Sequence, residues 1–148
     1  MPVDSSTWNP TTVSINGNNL PSELVDVLDS GQWMDLSPAA GRLINGRFGT
    51  RTLYPDLYDY VKIVRATDFF ASDAAAGYWP GGIDRSLNMD PAKSVLIGDL
   101  VGAGEDFLAL DYRPAQPCVR FLADAGWVEV ATSITEFLEQ LEARPPLR

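Results

Sequence analysis

The sequence predicts an α+β fold: a single domain with a mostly antiparallel sheet, helices packed on it and a C-terminal helix. Three observations within residues 91–141 carry this reading. Four short apolar runs, Ser94–Ile97, Asp106–Asp111, Cys118–Leu122 and Trp127–Ala131, are separated by clusters of Gly, Pro, Asp and Ala. The runs have the length and composition of strands, and the separators have turn chemistry. In Phe107-Leu108-Ala109-Leu110 both alternating faces are apolar, so this strand is expected to be central and covered on both sides. After the last run the period changes. Ile134, Phe137, Leu138 and Leu141 fall at i, i+3, i+4 and i+7, one face of a helix, and Ser133 with Glu136 makes the capping box that starts it.

Taken in order, residues 1–19 are polar and form an N-terminal extension. Val13 and Ile15 are candidates for a short extended edge, with disorder expected before Trp8. The domain proper spans 20–144. Leu20 to Asp29 reads as a helix with Pro21 at its first position, Leu24, Val27 and Leu28 on one face, and Ser30-Gly31 as its stop. Trp33 and Met34 are placed to fold back over that face. Ser37-Pro38 starts a two-turn helix through Ile44, and Asn45-Gly46 reads as a turn, followed by loop or short strand at Phe48-Gly49-Thr50. Leu53-Tyr54-Pro55 should be extended, because the residue before proline avoids the helical region. The alternation in Tyr58–Val64 predicts a strand, and Thr67 or Asp68 would cap a helix from Phe69 to Ala76. Gly77 to Gly82, with Pro80 and paired glycines, must be loop, and residues 145–148 form a frayed tail.

Composition narrows the function classes. One hundred and forty-eight residues with 45% hydrophobic content suit one core in a globular domain. The formal net charge is −9, which disfavours nucleic acid and an anionic membrane surface but suits a basic protein partner. No histidine is present, which removes Ser-His and Cys-His nucleophilic pairs, HExxH zinc sites and imidazole bases together. Cys118 is the lone cysteine, so no intrachain disulfide can form, and its strand position predicts a buried structural thiol. The N-terminal residues carry neither a basic segment nor an apolar core, and no stretch reaches the roughly 18 apolar residues of a membrane span, so a cytoplasmic protein is expected.

Two constellations invite a chemical reading. The segment GDLVGAGED (Gly98–Asp106) resembles a phosphate loop in glycine content only. It lacks the Lys-Ser/Thr pair and ends in two acids, so a hairpin turn at Gly102 and Gly104 accounts for it better. Asp99, Glu105, Asp106 and Asp111 could be drawn together as a divalent-metal or acid–base site. Their spacing matches no EF-hand loop, and solvated turn carboxylates account for them. No metal and no cofactor is therefore expected. Tyr78 and Trp79 either plug the core edge or serve as aromatic anchors for a partner. Ser133 reads as a helix cap and not as a nucleophile, since no base accompanies it, and Trp127 and Phe137 read as core.

The C-terminal pattern also carries a resemblance. Ile97-Gly98-Asp99, the glycines 102 and 104, Phe107-x-x-Leu110-Asp111, Pro117-x-Val119 and Trp127-x-x-Val130-Ala131-x-Ser133-Ile134-x-x-Phe137-Leu138-x-x-Leu141 resemble, in order and spacing, the signature of the SMI1/KNR4 (SUKH) superfamily. The pattern covers about a third of the chain. Leu20-Pro21-Ser22-Glu23-Leu24 resembles the family's first helix more loosely, and residues 41–90 match nothing. The resemblance implies an α+β fold and a protein that does no covalent chemistry. Many bacterial members resemble immunity proteins that occlude a toxin. On that expectation a basic toxin domain would meet Asp84, Asp99, Glu105 and Asp106, with Tyr78 and Trp79 as anchors. Alternatives are a regulatory scaffold module without a toxin, as members outside bacteria suggest, and a carboxylate-dependent metal hydrolase.

Overall fold

The structure, a computed structural model, describes residues 9–49, 54–75, 90–101, 107–123 and 126–142. The expectations for the segment before Trp8, the 77–82 loop, the glycines 102 and 104 and the 145–148 tail lie outside these residues. A five-stranded antiparallel meander forms the centre, in the order β3-β4-β5-β6-β7. Its strands are β3 (Tyr54–Leu57), β4 (Ser94–Val101), β5 (Phe107–Asp111), β6 (Cys118–Ala123) and β7 (Gly126–Ala131). The apolar β5 is the middle strand, and Leu108, Ala109 and Leu110 are all buried. Both of its faces are covered because residues alternate sides. Leu108 and its cross-strand partner Phe121 leave one face, where Phe121 stacks on Phe48 at 5.5 Å between ring centroids. Trp127 and its partner Leu122 leave the other face, where Phe70 meets Trp127 edge-on at 5.8 Å.

Among the described residues, five α-helices pack around this sheet: α1 (Ser22–Asp29), α2 (Gln32–Asp35), α3 (Ser37–Phe48), α4 (Tyr60–Ala75) and α5 (Ile134–Glu142). The hairpin β1 (Pro10–Ile15) and β2 (Asn18–Pro21) precedes them, turning through Asn16-Gly17 with φ of 55° and 78°, as a type I′ turn requires. Ile15 and Leu20 join the common core, and the Tyr112 hydroxyl donates to the Asn19 carbonyl at 2.7 Å. In α1 Leu24 and Leu28 are buried as expected and Ser30 caps the end, while Leu20 and Pro21 belong to β2. Trp33 is fully buried in α2 and meets Phe137 of α5 at 6.2 Å.

Helix α5 starts as its capping box implies, with one change. The Glu136 amide donates to Ser133 Oγ at 3.0 Å, but the Glu136 carboxylate accepts from the Thr132 amide and hydroxyl. The second arm of the box thus reaches one residue further back, and those bonds hold the Glu136 carboxyl below its usual range.

Three expectations are corrected. Residues 58–64 are not a strand, because α4 begins at Tyr60 and runs sixteen residues. The Lys62 amide donates to Asp59 Oδ1 at 2.9 Å, so Asp59 caps this helix, and Ile63, Thr67 and Phe70 form its buried stripe. Thr67 is accordingly no cap. It is buried in mid-helix and its hydroxyl accepts from the Leu96 amide at 3.0 Å. Helix α3 does not end at Ile44 either. Asn45-Gly46 lies within it, and Gly49, in the left-handed region at φ 69°, ends it.

The sheet edges are managed by helices. β3 is short, so the lower half of β4 lies beyond its end. There Thr67 supplies the acceptor that a longer β3 would have supplied. At the opposite edge Arg47 of α3 donates to the Val130 carbonyl of β7 at 2.6 Å.

Candidate functional site

Of the side chains named from sequence as partner contacts, Asp99 is described, whereas Tyr78, Trp79, Asp84, Glu105 and Asp106 lie outside the described residues. Asp99 sits on β4 directly opposite Asp56 of β3. Two carboxylates facing each other across a ladder repel, and such a pair is destabilising. The backbone brings them close because the preceding residue is Gly98. A Cβ at that position would stand 2.9 Å from Leu57 Cδ2 and 3.0 Å from the Asp56 carbonyl oxygen, so only glycine lets the two strands approach.

Two neighbours offset the repulsion. The Tyr58 hydroxyl donates to Asp99 Oδ2 at 2.6 Å, and Lys62 Nζ contacts Asp56 Oδ2 at 2.7 Å. Tyr58 is buried, and Lys62 Nζ lies 5.8 Å from its ring centroid. Burial first, then the hydrogen bond and charge of Asp99, push the Tyr58 hydroxyl far above its ordinary pKa, so it stays a donor. The hydrogen bond and charge of Asp56, with smaller help from Asp99 and Asp59, raise the Lys62 ammonium.

The acidic surface continues beyond this pair. Asp59 caps α4, and the Tyr60 hydroxyl donates to Asp29 Oδ1 at the end of α1 at 3.2 Å. Burial, Asp29 and the field of Asp26 raise the Tyr60 hydroxyl in turn. Asp26, Asp29, Asp56, Asp59 and Asp99 therefore surround two tyrosines and one lysine at the start of α4. Among the described residues, five carboxylates and one ammonium gather at this corner. Val61, 58% exposed, stands among them as an apolar contact.

The strand reading of residues 58–64 concealed this corner. The usable signal was Asp59 placed three residues before Lys62, a helix cap, which gathers 56, 59 and 62 at one helix start. Among the described residues no three carboxylates or thiols are grouped to hold a metal ion.

A second charged cluster lies at the other end of β5, and it corrects the sequence reading of Asp111. That residue is no solvated turn carboxylate. It is 1% exposed and accepts from the Arg113 amide, Nε and one Nη, and from Arg120 Nε, at 2.8–3.1 Å. Burial raises its carboxyl pKa, but these charge-assisted bonds from Arg113 and Arg120 outweigh burial and leave it lowered. Cys118, the cross-strand partner of Asp111, is buried, and desolvation pushes its thiol up, away from nucleophilic use.

No protein-family model, curated protein or solved structure matches the chain. Among the described residues no helix is long and apolar enough to cross a membrane.

Proposed function

We propose that the protein is a non-catalytic binding module that presents the acidic corner at the start of α4 to a basic face of a protein partner. The observation that carries this reading is the Asp56–Asp99 pair. Like charges opposed on adjacent strands are a local cost that folding alone does not call for, and here it is retained beside further exposed acids. Such a field raises association rates with a cationic partner, while exposed Val61 and half-buried Tyr60 supply contact area. The resemblance to SMI1/KNR4 proteins, carried by β4 to α5, makes an immunity protein that occludes a cognate bacterial toxin the preferred instance. A scaffold role toward another basic protein is the second reading. On either reading no residue does covalent chemistry.

The test is co-purification with the product of the open reading frame beside its gene. Capture should weaken as salt rises, because exposed charges are screened beyond roughly 8 Å at physiological ionic strength. Asp56→Lys with Asp59→Lys should slow association far more than it changes dissociation. Absence of capture, together with full growth of cells that express that product alone, would remove the immunity reading. Capture untouched by salt and by both reversals would remove the acidic corner from the interface.

A further inference from the structure

Arg120 is held differently from Lys62, Arg47 and Arg113. Lys62 pairs with Asp56, Arg47 donates to the β7 edge, and Arg113 closes a two-pronged fork on Asp111. Arg120 rises from the middle of β6, flanked by Ala109 of β5 and Glu129 of β7 as direct cross-strand partners. All three side chains leave the same face of the sheet. Its one ion pair among the described residues runs from Nε to Asp111 Oδ2 at 2.8 Å, not to the facing Glu129.

That bond fixes the guanidinium without exhausting it. Asp111 already accepts four hydrogen bonds, two on each oxygen, which fills the roughly four lone-pair sites of a carboxylate. One carboxylate thus serves two guanidiniums, and its lone pairs are taken up by Arg113 and Arg120. Nε faces inward to Asp111, and the side chain as a whole is 21% exposed. The two Nη groups, with four N–H donors, receive no oxygen acceptor from the described residues, and the Cys118 thiol that bonds the Arg120 side chain is a weak partner. A guanidinium oriented by a buried acid on a rigid strand loses little freedom when it binds a planar anion.

We infer that the Nη edge of Arg120 is a seat for a carboxylate of an interacting molecule, distinct from the acidic corner and independent of it. The carboxylate would approach from the solvent side of β6 and pair with both Nη groups. The facing Glu129, exposed and unpaired with Arg120, would repel an anion that approached from the β7 side and so fixes the direction of approach.

The test uses the full chain with labelled arginine side chains, following the Arg120 Nε–Hε resonance as sodium acetate is added, against sodium chloride at matched ionic strength. Acetate should shift it saturably, with half-effect at about 10–100 mM, in line with the little surface so small a ligand buries. Chloride should not. Arg120→Lys keeps the charge but loses the planar fork, so acetate-dependent shifts of the Ala109 and Glu129 amides should weaken at least about tenfold. The variant is expected to fold, since Asp111 keeps its three bonds from Arg113. If it does not, the acetate–chloride comparison on the wild type decides alone. A linear response, or one that chloride reproduces, overturns the inference. Triglycine and an amidated, acetylated Gly-Asp-Gly then separate a terminal carboxylate from a side-chain one. Tighter binding of either than of acetate supports the seat and names its source. Weaker binding of both overturns a partner's carboxylate as its occupant.

Discussion

Replacing Asp111 by Ala should cost about 3 kcal/mol of stability, and the structure says why it is neither less nor much more. Breaking a buried ion pair by removing one partner typically costs about 3–5 kcal/mol, because a charge is left without compensation. Asp111 itself is 1% exposed, but the cations it would leave behind are Arg113 and Arg120, 38% and 21% exposed. Both can turn toward water, which places the loss at the lower end. The Arg113 amide also loses its acceptor at the exit of β5. In urea, with a slope of about 2 kcal/mol per molar, the unfolding midpoint should fall by about 1.5 M at pH 7.

Acid provides a second, independent arm. The folded-state pKa of Asp111 lies below its unfolded value, so its contribution is complete above the unfolded pKa and is lost as pH falls through the folded one. The gap between wild type and Asp111→Ala should therefore stay constant from pH 7 to about 5 and narrow below about 4. A midpoint difference under about 0.3 M at pH 7, or a gap that acid does not narrow, would refute the assignment of Asp111 as a buried, ionised anchor.

Three further outcomes follow from the packing. Thr67→Val keeps the shape of the side chain but leaves the Leu96 amide buried without an acceptor, a loss of about 1–3 kcal/mol, and hydrogen exchange at Leu96 should accelerate; unchanged protection there would mean another acceptor serves it. Phe137→Ala should cost about 3–5 kcal/mol, since the ring is fully buried against Trp33, and an unaltered urea midpoint would contradict that placement. Ser133→Ala should cost only about 1 kcal/mol, the worth of a cap, and a loss several times larger would show that the hydroxyl serves the core as well.

The C-terminal third was legible because each of its elements satisfies local and global demands together. Residues 107–110 are apolar on both faces, and β5 is the strand covered on both sides. The heptad-like spacing from Ile134 to Leu141 lies on one side of α5, which packs on β6 and β7. Where reading failed, local signals competed. Val61, Ile63 and Val64 are β-branched and sit among aromatics, a composition that favours strands. The cap at Asp59 and the burial of Ile63, Thr67 and Phe70 against β4 override that preference. Asn45-Gly46 has the chemistry of a turn, yet the helix continues to Phe48 because that ring stacks on Phe121.

The candidate site was harder to read than the fold for a related reason. Its acids come from four places along the chain: the end of α1, β3, the cap of α4, and β4. No spacing rule links Asp29, Asp56 and Asp99, since they meet only through strand register and through a helix start that was misread. Asp99 was reachable from sequence as a charged residue beside a glycine. Its partner Asp56 was not, because its place opposite Asp99 depends on β3 pairing with β4 across an intervening helix. Asp111 fails in the opposite sense. An acid closing an apolar strand looks like the first residue of a solvated turn, but Asp111 is buried because Arg113 and Arg120 both reach it. Opposed carboxylates kept at the surface and a carboxylate kept inside are both departures from what folding alone prefers. On the binding role proposed above, the first departure would set negative potential before a cationic partner, and the second would orient a guanidinium for an anion. If both proposed sites are used, a partner that carries a basic patch and a carboxylate is oriented as well as bound.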